Sequence, residues 1–333
     1  MLSRVADSIY WMSRYVERAE NVARFIDVNL KLMLDAPEGL GQQWMPLVSI
    51  TGDDKDFVTR YHEATDQNVI RFLTFDRQNP NSIISCLSAA RENARSVREV
   101  ISSEMWLQLN EFYLAVKSVA EDSSGLKSPH EFFGNIKSNS HLFAGVTDAT
   151  MTHNEAWHFS SLGRRLERAD KTSRILDVKY FILLRSAADV GSPFDEVQWA
   201  AVLRSASAFE MYRKRYGAIS PKSIVEFLLL NNEFPRSIRF CLDNALISLR
   251  AISSMMDDSG KKSPDKLLGR LCSDLEYASI DEIINAGLHE YLDKMQTRMN
   301  QVGSEIHERF FAKRMPETKP ATRRRNKHSD VPQ

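Results

Sequence analysis

The sequence predicts an all-α protein, a helical bundle built from an internal duplication of about 150 residues with approximate two-fold pseudosymmetry. Three observations lead to this prediction. Apolar residues recur at steps of three and four along much of the chain, which is the period of an amphipathic helix. No segment of any length alternates apolar and polar residues, as half-buried strands do. The stretch from Arg14 to Val28 also recurs 150 residues later, from Arg164 to Val178.

The first helix is predicted over residues 3–34. Its apolar residues form one stripe, whereas Arg14, Glu17 and Arg24 fall on the opposite side of the helix. The helix is expected to end close to Pro37, because proline cannot continue a helix.

A less regular stretch is predicted from Trp44 to about Tyr61. A helix is expected to begin after Thr65, since threonine caps helix N-termini. The chain then restarts at Asn79-Pro80 into a longer helix, and another helix is predicted from Met105 to Val119. Serine, glycine and proline mark a loop over residues 123–129.

The repeat continues beyond the first helix. At a constant offset of 155, and without a gap between residues 44 and 95, twelve positions are identical. The matched pairs are Trp44/Trp199, Arg60/Arg215, Tyr61/Tyr216, Phe72/Phe227, Leu73/Leu228, Pro80/Pro235, Ser82/Ser237, Ile83/Ile238, Cys86/Cys241, Leu87/Leu242, Ala90/Ala245 and Arg95/Arg250. The step in offset from 150 to 155 places five extra residues in the first connection of the second copy.

The second half is predicted to end with a helical segment at residues 267–277 and one long helix. That helix is expected to begin at about Ser279, where Glu282 completes a capping box, and to run past Ile306.

These elements predict three parts of the chain. Residues 1–150 form a first helical repeat, and residues 151–312 form a second repeat that makes one compact body with the first. Residues 313–333 are basic and poor in apolar side chains, so they are expected to be a disordered tail.

Charge is distributed unevenly along the chain. The formal net charge is zero, but residues 313–333 hold seven Lys/Arg against two Asp/Glu, so the tail carries +5 and the body −5. An acidic body argues against a large nucleic-acid-binding surface, which needs a basic face. The cluster Arg323–Arg325 could touch nucleic acid or an acidic partner, yet charged tails of this kind usually serve solubility.

The compartment is predicted from what the sequence lacks. Three cysteines without C-x-x-C spacing suggest neither a disulfide framework nor a zinc site. The first residues do not have the organisation of a signal peptide, and no apolar run is long enough to span a membrane. A cytoplasmic protein without a membrane segment is therefore expected.

A duplicated charged motif supplies the candidate site residues. Four positions of the first copy, Arg14, Glu17, Arg18 and Arg24, recur in the second copy as Arg164, Glu167, Arg168 and Arg174. Neighbouring positions have diverged, for example Tyr15/Arg165.

Three interpretations of this motif remain open. The residues could form a solvated face with i,i+4 ion pairs such as Glu20–Arg24, although such pairs contribute only a few tenths of a kcal/mol. They could form a partly buried reciprocal network in which Glu17 meets Arg168 and Glu167 meets Arg18. They could also line a cleft whose arginines bind a carboxylate or phosphate, with Glu17 or Glu167 as an acid or base.

Other candidate sites are weaker. Glu155-x-x-His158 has the spacing of di-iron carboxylate helices, but no second Glu-x-x-His is present, so no metal and no cofactor are predicted. Cys86 and Cys241 lie on apolar faces and are expected to be buried structural thiols. Phosphate-binding glycine loops and the nucleophile elbow are absent from the sequence.

The opening residues resemble a known family. The motif is Tyr10-Trp11-Met12-Ser13-Arg14-Tyr15-Val16-Glu17-Arg18-Ala19-Glu20-Asn21-Val22-Ala23-Arg24, and its second copy includes Leu162-Gly163-Arg164-Arg165-Leu166-Glu167-Arg168. In these motifs the chain resembles the bacterial alpha-E family, a helical group of unknown activity named for its Glu-Arg motif. The resemblance extends from Leu2 to about Phe311 and leaves out the basic tail.

The resemblance implies partners. It suggests an association with circularly permuted ATP-grasp proteins of the amide-ligase type, and with transglutaminase-like or protease-like proteins encoded nearby. On this basis the chain is expected to be an accessory helical subunit of an amide or peptide ligase system. The alternative is an enzyme of peptide or amino-acid modification that uses the Glu-Arg clusters as acid/base and anion clamp. Self-association as a homodimer is left open.

Overall fold

The computed structural model describes residues 1–35, 44–122, 126–181, 193–254 and 263–312, and it is all-α over these ranges. Fifteen α-helices and a terminal π-helical turn account for the elements of the described residues. The first eight helices are α1 Ser3–Asp35, α2 Met45–Thr51, α3 Asp54–Tyr61, α4 Asp66–Thr74, α5 Ile83–Ser96, α6 Ser103–Glu121, α7 Pro129–Thr150 and α8 Glu155–Phe181. The remainder are α9 Pro193–Ser205, α10 Phe209–Tyr216, α11 Pro221–Leu230, α12 Ile238–Ser254, α13 Pro264–Glu276, α14 Ile280–Ala286, α15 Leu288–Ile306 and the π-helical turn His307–Phe311.

Two long helices, α1 and α8, pack against each other and organise the others. Helix α1 also packs against α5 and α7, while α8 packs against α12 and α15. Both long helices bury polar as well as apolar side chains, because each has neighbours on several sides. The two glutamates of the duplicated motif are therefore buried, and its arginines are buried or partly buried.

One predicted helix start agrees with its capping residue, and two helices begin near but not at the predicted residues. Thr65 precedes α4, and its side chain accepts a hydrogen bond from the backbone N–H of Asn68, as predicted. Ser82 caps α5 by accepting from the N–H of Ser85, so this helix begins at Ile83 rather than directly at Pro80. Helix α6 begins at Ser103, slightly before the predicted start.

Two predicted elements differ from the structure. The stretch predicted as irregular between Trp44 and Tyr61 contains the short helices α2 and α3, separated by Gly52 at a φ of 82°. The long helix predicted from Ser279 is two helices, because Gly287 adopts a φ of 101° and separates α14 from α15. Ser279 makes no side-chain capping hydrogen bond. Positive φ is the conformation that favours glycine, and the sequence pattern alone did not reveal it.

The core holds the residues that were predicted to be structural. Trp44 and Trp199 are both buried, as anchors of the first connections should be. Cys86 and Cys241 are fully buried, and burial raises the pKa of both thiols, that of Cys86 to about 12. A thiol with a raised pKa is a poor nucleophile, which agrees with a structural role.

Helix starts in the two halves match in sequence position. Helices α3, α4 and α5 begin at residues 54, 66 and 83, and α10, α11 and α12 begin at 209, 221 and 238. Each pair of starts differs by 155, the offset of the sequence identities. These starts support the duplication, while the duplication itself, its two-fold axis and the division at residues 150/151 stay predictions. The predicted boundary lies in the connection between α7 and α8.

Two further predictions concern the ends and the membrane. The predicted disordered tail at 313–333 lies outside the described residues. Among the described helices, none combines the length and the apolar character that crossing a bilayer requires.

Candidate functional site

Helices α1 and α8 approach closely where small residues meet. The hydroxyl oxygens of Ser13 and Ser160 lie 2.7 Å apart across the contact. A Cβ atom built on Gly163 would lie 2.4 Å from the backbone oxygen of Tyr10, so the absence of a side chain permits this approach. The charged motif residues follow this crossing on both helices and thus face one another.

Glu167 of α8 is fully buried and is held by two arginines of α1. Arg18 donates from Nε to Oε1 at 2.6 Å and from NH2 to Oε2 at 3.0 Å, which is a bidentate contact. Arg14 donates from Nε to Oε2 at 2.8 Å. Lys171 lies 3.8 Å from the same carboxylate. The predicted contact between Glu167 and Arg18 is present.

Glu17 of α1 makes the reciprocal contact. Arg168 of α8 donates from Nε to Oε1 at 2.7 Å and from NH2 to Oε2 at 2.8 Å. Arg236, two residues before the start of α12, donates from NH1 to Oε1 at 3.5 Å. Asn21 donates to the same oxygen at 3.3 Å. The predicted reciprocal network is therefore confirmed, and both carboxylates are buried within it.

The i,i+4 pairs predicted within each helix also form. Arg24 forms an ion pair with the fully buried Glu20, and Arg174 donates from Nε to both oxygens of Asp170 at 3.1 Å. Glu20 additionally lies 2.9 Å from the NH2 group of Arg236. Burial of these groups contradicts the interpretation of the motif as a solvated helix face.

The surrounding cations decide the protonation state of these carboxylates. Burial alone would raise the pKa of Glu167, but Arg18 and Arg14 outweigh it and hold that pKa well below its ordinary value. Burial acts in the same direction on Glu17, whose pKa is nevertheless lowered by Arg168 and Arg236. The pKa of Glu20 is well below its ordinary value for the same reason, with Arg236 and Arg24 as the cations. All three carboxylates are thus ionised at neutral pH.

Arg164 departs from the pattern of its counterpart Arg14. Its Nε is buried and has no hydrogen-bond partner among the described residues, as is also true of the neighbouring Arg165. Burial, reinforced by the nearby Arg168 and Arg165, lowers the pKa of Arg164 to about 10. The two copies of the motif therefore differ in the number of arginines that hold the opposite glutamate.

The sequence did not predict the contacts that Arg236, Asn81, Asp27 and Asp177 make in this region. Arg236 is the counterpart of Asn81 at the offset of 155, and Asn81 accepts a hydrogen bond from Arg18 at 2.6 Å. Both residues lie between a proline and a serine that recur at this offset, and these flanking identities were the signal in the sequence that could have pointed to the two positions. Asp27 contacts His130 at 2.8 Å, and its counterpart Asp177 contacts a histidine of α15 at 2.5 Å. The recurring aspartate of the motif therefore attaches one further helix in each half.

A cleft of about 710 Å³ opens beside the Glu167 side of the network. Its lining comes mainly from α1, from α8 and from the end of α15 with the π-helical turn, and Thr51 of α2 and Asn81 before α5 complete it. The lining residues are Tyr10, Trp11, Arg14, Arg18, Thr51, Asn81, Leu166, Asp170, Lys171, Arg174, Met299, Asn300, Gly303, Ser304, His307, Glu308 and Phe311. On the other side of the network, a pocket of only about 20 Å³ lies between Glu17, Arg164 and Arg168. The two sides are thus unequal in the space that they offer to a ligand.

The candidate catalytic residues are not free to exchange protons. Glu17 and Glu167 are buried, ionised and bound by arginines on both oxygens. A general base has to reach its proton in an accessible cleft with a pKa near the operating pH. The geometry of the two glutamates favours the structural interpretation over the catalytic one.

The predicted absence of a metal concerns Glu155 and His158. Glu155 binds the N-terminal amino group of Met1 at 2.8 Å. The ring of His158 lies edge-on to that of Trp157. Over the described ranges, no group of three or more His, Cys, Asp or Glu residues is arranged to hold a metal ion.

The buried carboxylates predict a loss of stability in acid. Glu17, Glu20 and Glu167 have pKa values below the ordinary 4.5, so their contribution is complete above that pH and is lost as the pH falls through the folded-state values. We expect the free energy of unfolding, measured by urea titration, to fall below pH 4.5 by up to about 1.4 kcal/mol per pH unit for each carboxylate that is protonated in the unfolded state and still ionised in the folded state. A free energy that stays constant down to pH 3 would contradict this account.

Comparison with known proteins places the chain in a family. A model of the Alpha-E family, described as a predicted alpha-helical domain with a conserved ER motif, matches residues 1–311. Over 301 residues, the chain is 23% identical to Uncharacterized protein Mb2597 of Mycobacterium bovis and to Uncharacterized protein Rv2567 of Mycobacterium tuberculosis. Each alignment covers 84% of this chain and 33% of the relative, so the chain spans about a third of the length of the curated relatives it matches. No solved structure matches the chain.

Proposed function

The chain belongs to the Alpha-E family, and from that premise we propose that it is an accessory helical subunit, or binding partner, of an ATP-grasp-type amide or peptide ligase system. The partner is a circularly permuted ATP-grasp protein, and a transglutaminase-like protein is a second candidate. The cytoplasm is the proposed compartment. The partners rest on the family resemblance of the Glu-Arg motif, whereas the compartment rests on the sequence features that predicted it.

One structural observation carries the accessory role. Both glutamates of the motif are enclosed by arginines of the opposite helix, so the motif joins α1 to α8. Buried ion pairs contribute little net stability but are costly to break, which suits residues that fix the relative position of two helices. A chain whose signature residues are used in this way is better suited to presenting a rigid surface than to acid–base chemistry.

The length of the relatives adds support. The matched region is 33% of each mycobacterial relative, so in those proteins a unit of this kind is joined to further polypeptide. A unit that occurs within longer chains is one that can work beside other domains.

A second candidate function is an enzyme of peptide or amino-acid modification. The cleft beside Arg14, Arg18 and Arg174 favours it, because guanidinium groups bind carboxylates and phosphates in a defined geometry. The same cleft offers no accessible motif glutamate as a base, since Glu167 lies beneath the arginines and is fully buried. The arginines therefore fit the role of an anion clamp better than the glutamates fit that of an acid or base.

The partnership is tested with the full chain and a circularly permuted ATP-grasp protein from the same organism. We expect the two to co-elute in size-exclusion chromatography, and we expect the chain to change the turnover of the ligase, followed as release of ADP. A transglutaminase-like protein from the same organism, treated in the same way, identifies which protein is bound. The accessory role is wrong if no complex forms and ligase turnover is the same with and without the chain. Turnover of a peptide substrate by the chain alone would instead support the enzyme.

A further inference from the structure

The cleft beside Glu167 carries an excess of positive charge on its inner wall. Arg14 and Arg18 of α1 and Lys171 and Arg174 of α8 line this wall. Two carboxylates oppose them there, since Glu167 lies beneath the arginines and Asp170 pairs with both Lys171 and Arg174. These four cations and two carboxylates together give the inner wall a net charge of +2. Glu308, on the opposite wall, offsets only one of these charges.

The basic side chains of the wall are accessible to a ligand. The side chains of Arg14, Arg18 and Arg174 have 18%, 15% and 26% of their surface exposed to solvent. Glu167 and Asp170 hold these side chains in place. Arg174 uses only Nε in its recorded hydrogen bonds to Asp170, so its two terminal nitrogens remain as donors with respect to the described residues. Donors that are fixed before binding lose little conformational freedom when a ligand arrives.

Aromatic rings form a second side of the cleft. The rings of Tyr10 and Phe311 are 5.3 Å apart, and that of Trp11 meets Tyr10 edge-on at 5.7 Å. Trp11 also lies 4.8 Å from the guanidinium carbon of Arg14. Cations next to aromatic surface suit a ligand that has both an anionic group and an apolar body. A volume of about 710 Å³ lies within the range of small-molecule sites.

We propose that this cleft binds a small organic anion, in which a carboxylate or phosphate group pairs with Arg174 and its neighbours and an apolar or aromatic body lies against Trp11 and Phe311. The site is independent of the ligase partnership.

The test measures the binding of three aromatic probes of similar size to the full-length protein by isothermal titration calorimetry. Phenyl phosphate and benzoate carry the two candidate anionic groups, and benzamide is the uncharged analogue. We expect saturable binding of at least one anion at millimolar concentration, weaker binding as salt is raised, and no binding of benzamide. The stronger of the two anions identifies the group that the site prefers.

Variants locate the binding in the cleft. Arg174→Gln removes one charge-assisted contact and should weaken the preferred anion about tenfold. Trp11→Leu should weaken the aromatic anion while leaving inorganic phosphate unchanged. Arg298→Gln is the matched control, because Arg298 pairs with Asp274 on the surface and does not line the cleft. The proposal is overturned if neither anion binds, if benzamide binds equally well, or if Arg174→Gln and Arg298→Gln have equal effects.

Discussion

Replacing Glu167 by Gln should reduce the free energy of unfolding by about 3–5 kcal/mol, the cost of removing one partner from a buried ion pair. The substitution keeps the shape of the side chain and removes its charge. Arg14 and Arg18 would then remain at the interface of α1 and α8 without their counter-ion. Urea unfolding followed by circular dichroism measures the change.

Glu92→Gln is the matched control for this experiment. Glu92 also contacts two arginines, Arg91 and Arg95, but its side chain is 47% exposed. Exposed pairs of this kind contribute about 0–1 kcal/mol, so the control should be nearly as stable as the wild type. Equal stability of the Glu167 and Glu92 variants would contradict the structural role of the motif. A stable Glu167 variant that has lost an activity would favour the catalytic interpretation.

Replacing Gly163 by Ala should destabilise the protein, although alanine is the better helix former. Gly163 lies within α8, where an alanine without steric conflict would gain about 1 kcal/mol. The added Cβ would instead lie 2.4 Å from the backbone oxygen of Tyr10, a contact that only a shift of α1 against α8 can relieve. Overpacking of this type costs about 1–3 kcal/mol.

Gly145→Ala should change the stability in the opposite direction and serves as the matched control. Gly145 lies within α7, and a Cβ there would meet no atom within 4 Å. We expect this variant to unfold at a higher urea concentration than the wild type, and Gly163→Ala at a lower one. Two variants that shift the midpoint in the same direction would show that the close approach of α1 and α8 does not limit the packing.

The sequence was sufficient for the elements that depend on local signals. The apolar stripe of α1 and the cap at Thr65 each act within a few residues, so α1 and α4 were predicted correctly. The contacts Glu17–Arg168 and Glu167–Arg18 could also be predicted, because a repeat in register restricts which charges can meet.

Features that depend on tertiary placement were not predictable in this way. The role of Arg236 follows from how the segment before α12 packs against α1, to which no periodicity refers. The separation of α14 from α15 depends on the backbone conformation of Gly287, and a single glycine inside a helical pattern is compatible with either outcome. The cleft forms only where the end of α15 and its π-helical turn come beside Arg14 and Arg174.

The two Glu-Arg contacts between α1 and α8 have the form of an isologous interface. Glu17 contacts Arg168, the counterpart of Arg18, and Glu167 contacts Arg18 itself. A two-fold symmetric dimer makes such a pair of contacts between identical chains, each contact being the image of the other. Here both sides belong to one polypeptide, so a substitution on one side is not repeated on the other. The two sides differ at Arg164, whose Nε has no hydrogen-bond partner among the described residues, whereas Arg14 donates to Glu167 and lines the larger cleft.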